Sequence, residues 1–221
     1  MMNSKKGSSR IERLSMVYVI MCGGNYHTAE PKQLKSIKGE RIVERTIRLL
    51  KQNGVKEIYV STNDERFDYL LKLGVKLIRH HNTFGDGGHW LEAFAPIDEP
   101  VCYIFGDVVF SPEAIKTIVE TETDFIQFFA SSPPYDPRYF KNWSEPYAFK
   151  VMQPEMFHQY IKRTLELINC FYRDPIAWEL WQVIKGTPLG HIDYTNYVAI
   201  NDYTCDVDCE EDLERLKEVV E

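Results

Sequence analysis

Residues 16–32 read MVYVIMCGGNYHTAEPK, and the two halves of this stretch differ in physical character. Met16–Met21 is an unbroken apolar run, short enough for a strand and without an alternating polar face. Such a run suits a strand buried on both sides, in a parallel sheet covered by helices. It ends in Cys22-Gly23-Gly24-Asn25, where paired glycines permit a tight turn and expose backbone N–H groups. Pro31-Lys32 follows after a polar loop and brings a long cationic arm near the turn. Strand, glycine turn and lysine together describe a cradle for a phosphorylated ligand, although the glycines alone would serve equally as turn residues.

Outward from this stretch the apolar pattern alternates. Ile42, Val43, Ile47 and Leu50 recur at helical spacing within Arg41–Asn53, and Gly54 closes that helix. Val55–Thr62 reads as a second strand. Asp64 caps a helix that ends at Gly74, and Val75–Arg79 is a third strand. This order is the grammar of a parallel α/β sheet. A second glycine-rich loop spans residues 80–89, with Gly85, Gly87 and Gly88, before a short helix around Trp90–Ala95. Val101–Phe105 is another continuous apolar run and ends in Gly106-Asp107. Ser111-Pro112-Glu113 starts a helix with a hydroxyl cap, a proline at the first position and an acid in the first turn.

The second half is less regular. Strands are expected at Asp124–Phe129 and Tyr147–Val151, and helices over Pro154–Leu167 and from Asp174-Pro175 to Lys185. His191–Tyr194 and Tyr197–Ile200 read as short strands, and Glu210–Val220 as a closing acidic helix. The expected fold is α/β and Rossmann-like: a mainly parallel central sheet with helices on both faces, in three layers. Residues 1–15 read as a mobile polar tail without the apolar middle of a secretion signal. Residues 16–221 read as a single domain, with a nucleotide-binding part over 16–122 and an acceptor-binding part over 123–195.

The composition narrows the function. A net charge of −7 across 221 residues argues against nucleic-acid binding, and no apolar stretch approaches a membrane span. The five scattered cysteines fit reduced thiols in a cytoplasm, and Cys205 and Cys209 lack a second pair at zinc-binding spacing. Ligands of open parallel sheets bind beyond the carboxyl ends of the strands. Gly23-Gly24, the second glycine loop and Asp107 are expected to meet there. Asp206 and Asp208 would share a face if extended, although either could simply cap the last helix. Two carboxylate sites beside substrate phosphates are a usual way of holding Mg²⁺.

These residues in this order resemble the nucleotidyltransferase superfamily, of the nucleotide-diphospho-sugar transferase fold. That superfamily includes sugar-phosphate nucleotidyltransferases, cytidylyltransferases and molybdenum-cofactor guanylyltransferases. Met21-Cys22-Gly23-Gly24 is similar to the family's Leu-Ala-Ala-Gly-like turn, and Pro31-Lys32-Gln33-Leu34 to its Pro-Lys and leucine. Ile37-Lys38-Gly39-Glu40 continues the likeness, and Asp107 stands where a metal-binding Asp follows a strand. Asp206-Val207-Asp208, through Leu213, resembles the closing Asp-x-Asp-Thr-Pro-Glu-Asp-Leu. Tyr26 and Thr28 depart from a family glycine and arginine, and Cys209-Glu210 from Thr-Pro.

The resemblance implies transfer of a nucleoside monophosphate, CMP by slight preference, from an NTP to a phosphorylated sugar or alcohol, releasing pyrophosphate. Lys32, Asp107 and Asp208 are the implied catalytic residues, with Mg²⁺ on Asp107 and Asp208. Cys22, Gly23, Gly24, Asn25, Gly85, Gly87 and Gly88 are the implied nucleotide contacts. Arg138, Lys150 and Arg173 are candidates for the acceptor phosphate, with Lys141 beside them. Tyr135, Tyr139, Trp143 and Tyr147 either stack on a sugar, box a quaternary ammonium, or pack beneath a long loop. The implied protein is a cytoplasmic monomer or homodimer with no nucleic-acid or membrane partner. The competing readings are a nucleotide-sugar glycosyltransferase and a non-catalytic nucleotide-binding relative.

Overall fold

All six residues of β1 (Val17–Cys22) are buried. Their side chains alternate between two apolar layers: Val17, Val19 and Met21 in one, Tyr18, Ile20 and Cys22 in the other. Only a central strand with both faces covered has this pattern. The computed structural model describes residues 16–24, 30–81, 83–84, 88–132 and 144–220.

After β1 come a 3₁₀ turn (Lys32–Leu34) and a small hairpin, β2 (Ser36–Ile37) and β3 (Glu40–Arg41). Lys38 and Gly39 have φ of 49° and 84° at the hairpin's tip, a twist that two-residue hairpins favour. The chain continues through α1 (Ile42–Gln52), β4 (Ile58–Thr62), a 3₁₀ segment (Glu65–Leu73) and β5 (Lys76–Arg79). A second 3₁₀ segment (His89–Ala93) precedes β6 (Val101–Phe105), β7 (Val108–Val109) and α2 (Pro112–Glu120). The later elements are β8 (Ile126–Ala130), β9 (Pro146–Val151), α3 (Pro154–Asn169) and α4 (Ala177–Lys185). They are followed by β10 (Val198–Ala199), β11 (Cys205–Asp206) and α5 (Glu210–Val219).

The main sheet has seven strands in the order β10-β8-β9-β6-β1-β4-β5. β1 is parallel to both β4 and β6, β4 to β5, and β8 to β10, whereas β9 runs antiparallel between β6 and β8. The expected mainly parallel three-layer α/β architecture is present. The residue ladder aligns Met21 with both Ser61 and Phe105, so the strand exits on either side of β1 open at one level.

Local chemistry explains the helix starts. The Ser111 hydroxyl accepts the Ala114 N–H and Pro112 occupies the first helical turn, as the sequence suggests. Asp64 likewise accepts the Arg66 N–H, but the segment it caps is 3₁₀ rather than α. Residues 191–195 form no strand. Their polar groups are taken by α4 instead, with Gln182 and Lys185 bonded to the Asp193 backbone carbonyl.

β6 leaves the sheet in close contact with the end of β1. The Gly106 N–H donates to the Met21 carbonyl at 3.0 Å. A Cβ at Gly106 would lie 2.4 Å from that carbonyl oxygen and 2.8 Å from Cys22 Sγ. Backbone cannot yield as a flexible side chain can. Gly106→Ala should therefore destabilise the fold by ~1–3 kcal/mol, read as a lower urea midpoint with an unchanged slope.

Candidate functional site

Four strand exits converge on the glycine turn. Gly23 and Gly24 follow β1, and the Gly24 carbonyl accepts from Asn63 Nδ2, just after β4, at 3.0 Å. Gly106 and Asp107 follow β6 on the other side. Behind Gly23 stand His80, which follows β5, and Ala93.

The carboxylates arrive by a second route. β11 pairs antiparallel with β7, Asp206 opposite Val108, and the Val207 N–H donates to the Asp107 carbonyl at 3.0 Å. This two-stranded ladder carries the end of the chain to the exit of β6. Asp212, in the first turn of α5, accepts the N–H groups of Asp208 and Cys209 at 2.9 and 3.1 Å. The backbone carrying Asp208 is thereby held at the helix N-terminus.

Lys32 Nζ donates to Asp208 Oδ1 at 2.5 Å and stands 4.0 Å from Asp107 Oδ2. Burial alone would lower the Lys32 pKa, but the hydrogen bond to Asp208 and the charges of Asp107 and Asp206 outweigh it and hold the pKa above its usual value. The ammonium is therefore a permanent positive charge at neutral pH. Lys32, Asp107 and Asp208, separated by up to 176 positions in the chain, form one charged group.

Glu145 joins the group although no sequence motif flags it. Carboxylate oxygens of Glu145, Asp206 and Asp208 lie within 4.8 Å of one another. Glu145 immediately precedes β9, and its N–H donates to the Ser131 hydroxyl at 2.8 Å while its carbonyl accepts the Ser131 N–H at 2.9 Å. Hard carboxylate oxygens in this number suit Mg²⁺, so the donor set fits the ion that the fold implies.

A cavity of about 590 Å³ runs from Gly23 past Asp107, Asp206, Asp208 and Glu145 to the start of α4. Its far end is apolar and aromatic. Trp178 and Tyr194 line it, with ring centroids 4.8 Å apart at 70°. Trp178 is also largely core, and its indole N–H donates to the Ser144 carbonyl at 2.9 Å.

Other expected contacts are placed elsewhere. Cys22 is fully buried, and burial, with Asp107 nearby, pushes its thiol well above the usual pKa, so only its backbone is available. Gly88 does not line the cavity. A Cβ there would meet Leu165 of α3 at 2.4 Å, so this glycine permits close packing against a helix. Asn25, Gly85, Gly87 and Arg138 lie outside the described residues, as do Tyr26, Thr28, Tyr135, Tyr139, Lys141 and Trp143.

The expectation that Lys150 and Arg173 bind an acceptor phosphate is corrected. Lys150 is buried in β9 and donates to the carbonyls of Val119 and Thr121 at 3.0 and 2.6 Å, closing the end of α2. Arg173 pairs with Glu179, both side chains under 10% exposed, and donates to the Thr187 carbonyl at 2.7 Å. Tyr147 is core, its hydroxyl donating to the Thr204 carbonyl at 2.6 Å. Arg173→Met should cost ~3–5 kcal/mol of stability, because it leaves the Glu179 carboxylate buried without its cation. Chemical denaturation measures this; unchanged stability would return Arg173 to the ligand-binding candidates.

Three solved structures share the architecture. An inositol-1-phosphate CTP transferase from T. maritima matches with a TM-score of 0.60 at 18% identity, over 93% of this chain and 95% of that one. The CTP:phosphocholine cytidylyltransferase LicC from Streptococcus pneumoniae matches at 0.56 and 14% identity, over 94% and 100%. HddC from Yersinia pseudotuberculosis matches at 0.55 and 19% identity, over 93% and 100%. Identities this low speak for the fold alone. No curated protein sequence matches the chain. The family model of the MobA-like NTP transferase domain matches residues 18–139, more than half of the sequence, and takes in the glycine turn, Lys32 and Asp107. The chain belongs to the MobA-like NTP transferase family.

Proposed function

We propose that this chain is a Mg²⁺-dependent nucleotidyltransferase of the cytoplasm. It moves a nucleoside monophosphate, CMP by preference, from an NTP to a phosphorylated sugar or alcohol. The observation that carries the reading is the meeting of Lys32, Asp107 and Asp208 at the cavity beside the Gly23-Gly24 turn.

In this reaction an oxygen of the acceptor phosphate forms a bond to the α-phosphorus of the NTP. The bond from that phosphorus to the bridging oxygen breaks, and pyrophosphate leaves with the electron pair. A phosphate monoester is already largely ionised at neutral pH, with a second pKa of about 6, so the nucleophile needs no general base. The work of the site is alignment and charge neutralisation. The backbone of Gly23 and Gly24 holds the triphosphate, and Lys32 supplies a point charge to phosphate oxygens. Asp107 and Asp208 would hold the Mg²⁺, and the chemistry it would supply there is neutralisation of charge on the phosphate oxygens. Glu145 and Asp206 are close enough to complete its donor set or to face the acceptor.

Within the acceptor range, the alcohol phosphates are favoured by the far end of the cavity. Trp178, Tyr194 and Ile176 provide apolar and aromatic surface there, with Glu145 as a nearby anion. A sugar with several hydroxyls needs matching hydrogen-bond groups, whereas a methylated ammonium head is held by ring faces and a carboxylate. Trp178 and Tyr194 are a ring pair suited to this role; of the aromatics expected from the sequence, Tyr147 is core and Tyr135, Tyr139 and Trp143 lie outside the described residues.

The test is pyrophosphate release from each NTP with a panel of acceptors. The panel includes sugar 1-phosphates, phosphocholine and the uncharged carbon analogue 3,3-dimethylbutyl phosphate. CTP with phosphocholine should be the best pair, and the analogue clearly worse; no release with any pair overturns the proposal. Lys32→Met should lower kcat/KM by ~10²–10³-fold. Chelation should abolish turnover and added Mg²⁺ restore it, while activity that survives chelation would remove the metal from the reading.

A further inference from the structure

The Gly23-Gly24 turn is backed by a single imidazole. A Cβ built on Gly23 would lie 2.7 Å from His80 Nε2, 2.8 Å from His80 Cε1 and 3.0 Å from Ala93 Cβ. The ring therefore occupies the position where any other residue's side chain would begin. Gly23 lines the cavity that holds the charged group, while His80 lines a second cavity of about 670 Å³. The imidazole is thus the wall between the turn and that second space.

The ring is itself held. The His80 and Glu92 side chains are each 7% exposed, and Nδ1 of His80 lies 3.8 Å from Glu92 Oε2. The same carboxylate accepts the Phe84 N–H at 2.6 Å and the His81 N–H at 3.2 Å. Glu92 thereby ties the 3₁₀ segment His89–Ala93 to the chain leaving β5, with His80 clamped between them.

We propose that His80, clamped by Glu92, is the positioning residue that sets the level of the Gly23 backbone and so governs how tightly the turn holds a triphosphate. This inference rests on the reading of that turn as the triphosphate cradle. A turn free to sink backward would lose close backbone contact with phosphate oxygens, an interaction in which tenths of an ångström matter. The effect falls on ground-state NTP binding rather than on the charged group that acts during transfer.

The experiment is a double-mutant cycle on the full chain, read by calorimetric CTP binding and by steady-state kinetics. Gly23→Ala alone should weaken CTP binding about tenfold or more, because its methyl collides with the ring. His80→Ala alone should raise the KM for CTP about three- to tenfold with kcat within about twofold of wild type, the signature of lost ground-state binding. The double variant should bind CTP about fivefold or more tightly than Gly23→Ala, since the methyl then fills the vacated space. Rescue should be partial because Ala93 still presses on that methyl.

A mere stability role for His80 would lower the melting temperature without this crossed rescue. His80→Ala with wild-type KM, or a double variant no better than Gly23→Ala, overturns the proposal. If His80→Ala does not fold, Glu92→Gln carries the test: a raised KM for CTP with retained kcat supports it, and an unchanged KM overturns it. A wild-type chain that binds no NTP overturns the cradle reading as well, which separates the two failures.

Discussion

The exit of β6 against the exit of β1 is the contact on which the rest depends. At Gly106 the two chains touch through a backbone hydrogen bond, with no room for even a methyl group between them. Because the strands are parallel and in register there, both chains leave the sheet in the same direction. A glycine turn and an aspartate therefore stand side by side, although 84 positions separate Gly23 from Asp107. Separation by one more side chain would move the Asp107 carboxylate away from Lys32, and the attraction between opposite charges falls with distance. The apolar layers on both faces supply the rigidity that keeps this spacing fixed.

The second constraint is the ladder of β7 with β11. It is only two residues long on each side, yet it brings Asp206 and Asp208 to Asp107. Its support comes from a third apolar cluster in which Val109, Cys205 and Val207 pack with Leu213 and Leu216 of α5 and with Ile37 and Ile42 near the start of the chain. Lys35 adds an ion pair to Glu210 at 2.8 Å beside the Lys32–Asp208 pair. These pairs are partly exposed, so their worth lies in aligning segments more than in stability. Crowding Asp107, Asp206 and Asp208 near one lysine is unfavourable by itself, and Lys32 offsets part of that repulsion.

Much of this was legible in the sequence, and the gaps have physical causes. Continuous apolar runs at β1 and β6 announce strands covered on both faces, and the caps at Asp64 and Ser111 announce helical starts because side-chain oxygens and backbone donors sit at fixed offsets. Lys32, Asp107 and Asp208 stand out because each follows a strand or opens a helix at the same edge. Glu145 does not, because β9 is inverted. An antiparallel strand contributes to that edge the residue before its start, so a search after strand ends passes it by. A glutamate just ahead of a strand and followed by proline was the available signal. Lys150 and Arg173 misled for a different reason: charge alone does not distinguish a cation facing solvent or ligand from one that closes a helix end or meets a buried acid. His80 could not be singled out, since its partner is the absent side chain of Gly23.

The joining of Lys32 to Asp208 also has a consequence in time. A protein is made from its amino end, and the first half of this chain can lay down β1, β4, β5 and β6 while it is still being synthesised. That partial sheet already presents the glycine turn, Lys32 and Asp107. It lacks Asp206, Asp208 and the β11 segment that carries them, which begins only at Cys205. The charged group is therefore closed only when the end of the chain folds back onto the beginning. A growing chain therefore carries the glycine turn, Lys32 and Asp107 before Asp206 and Asp208 exist, and the charged group closes only once the β11 segment has paired with β7.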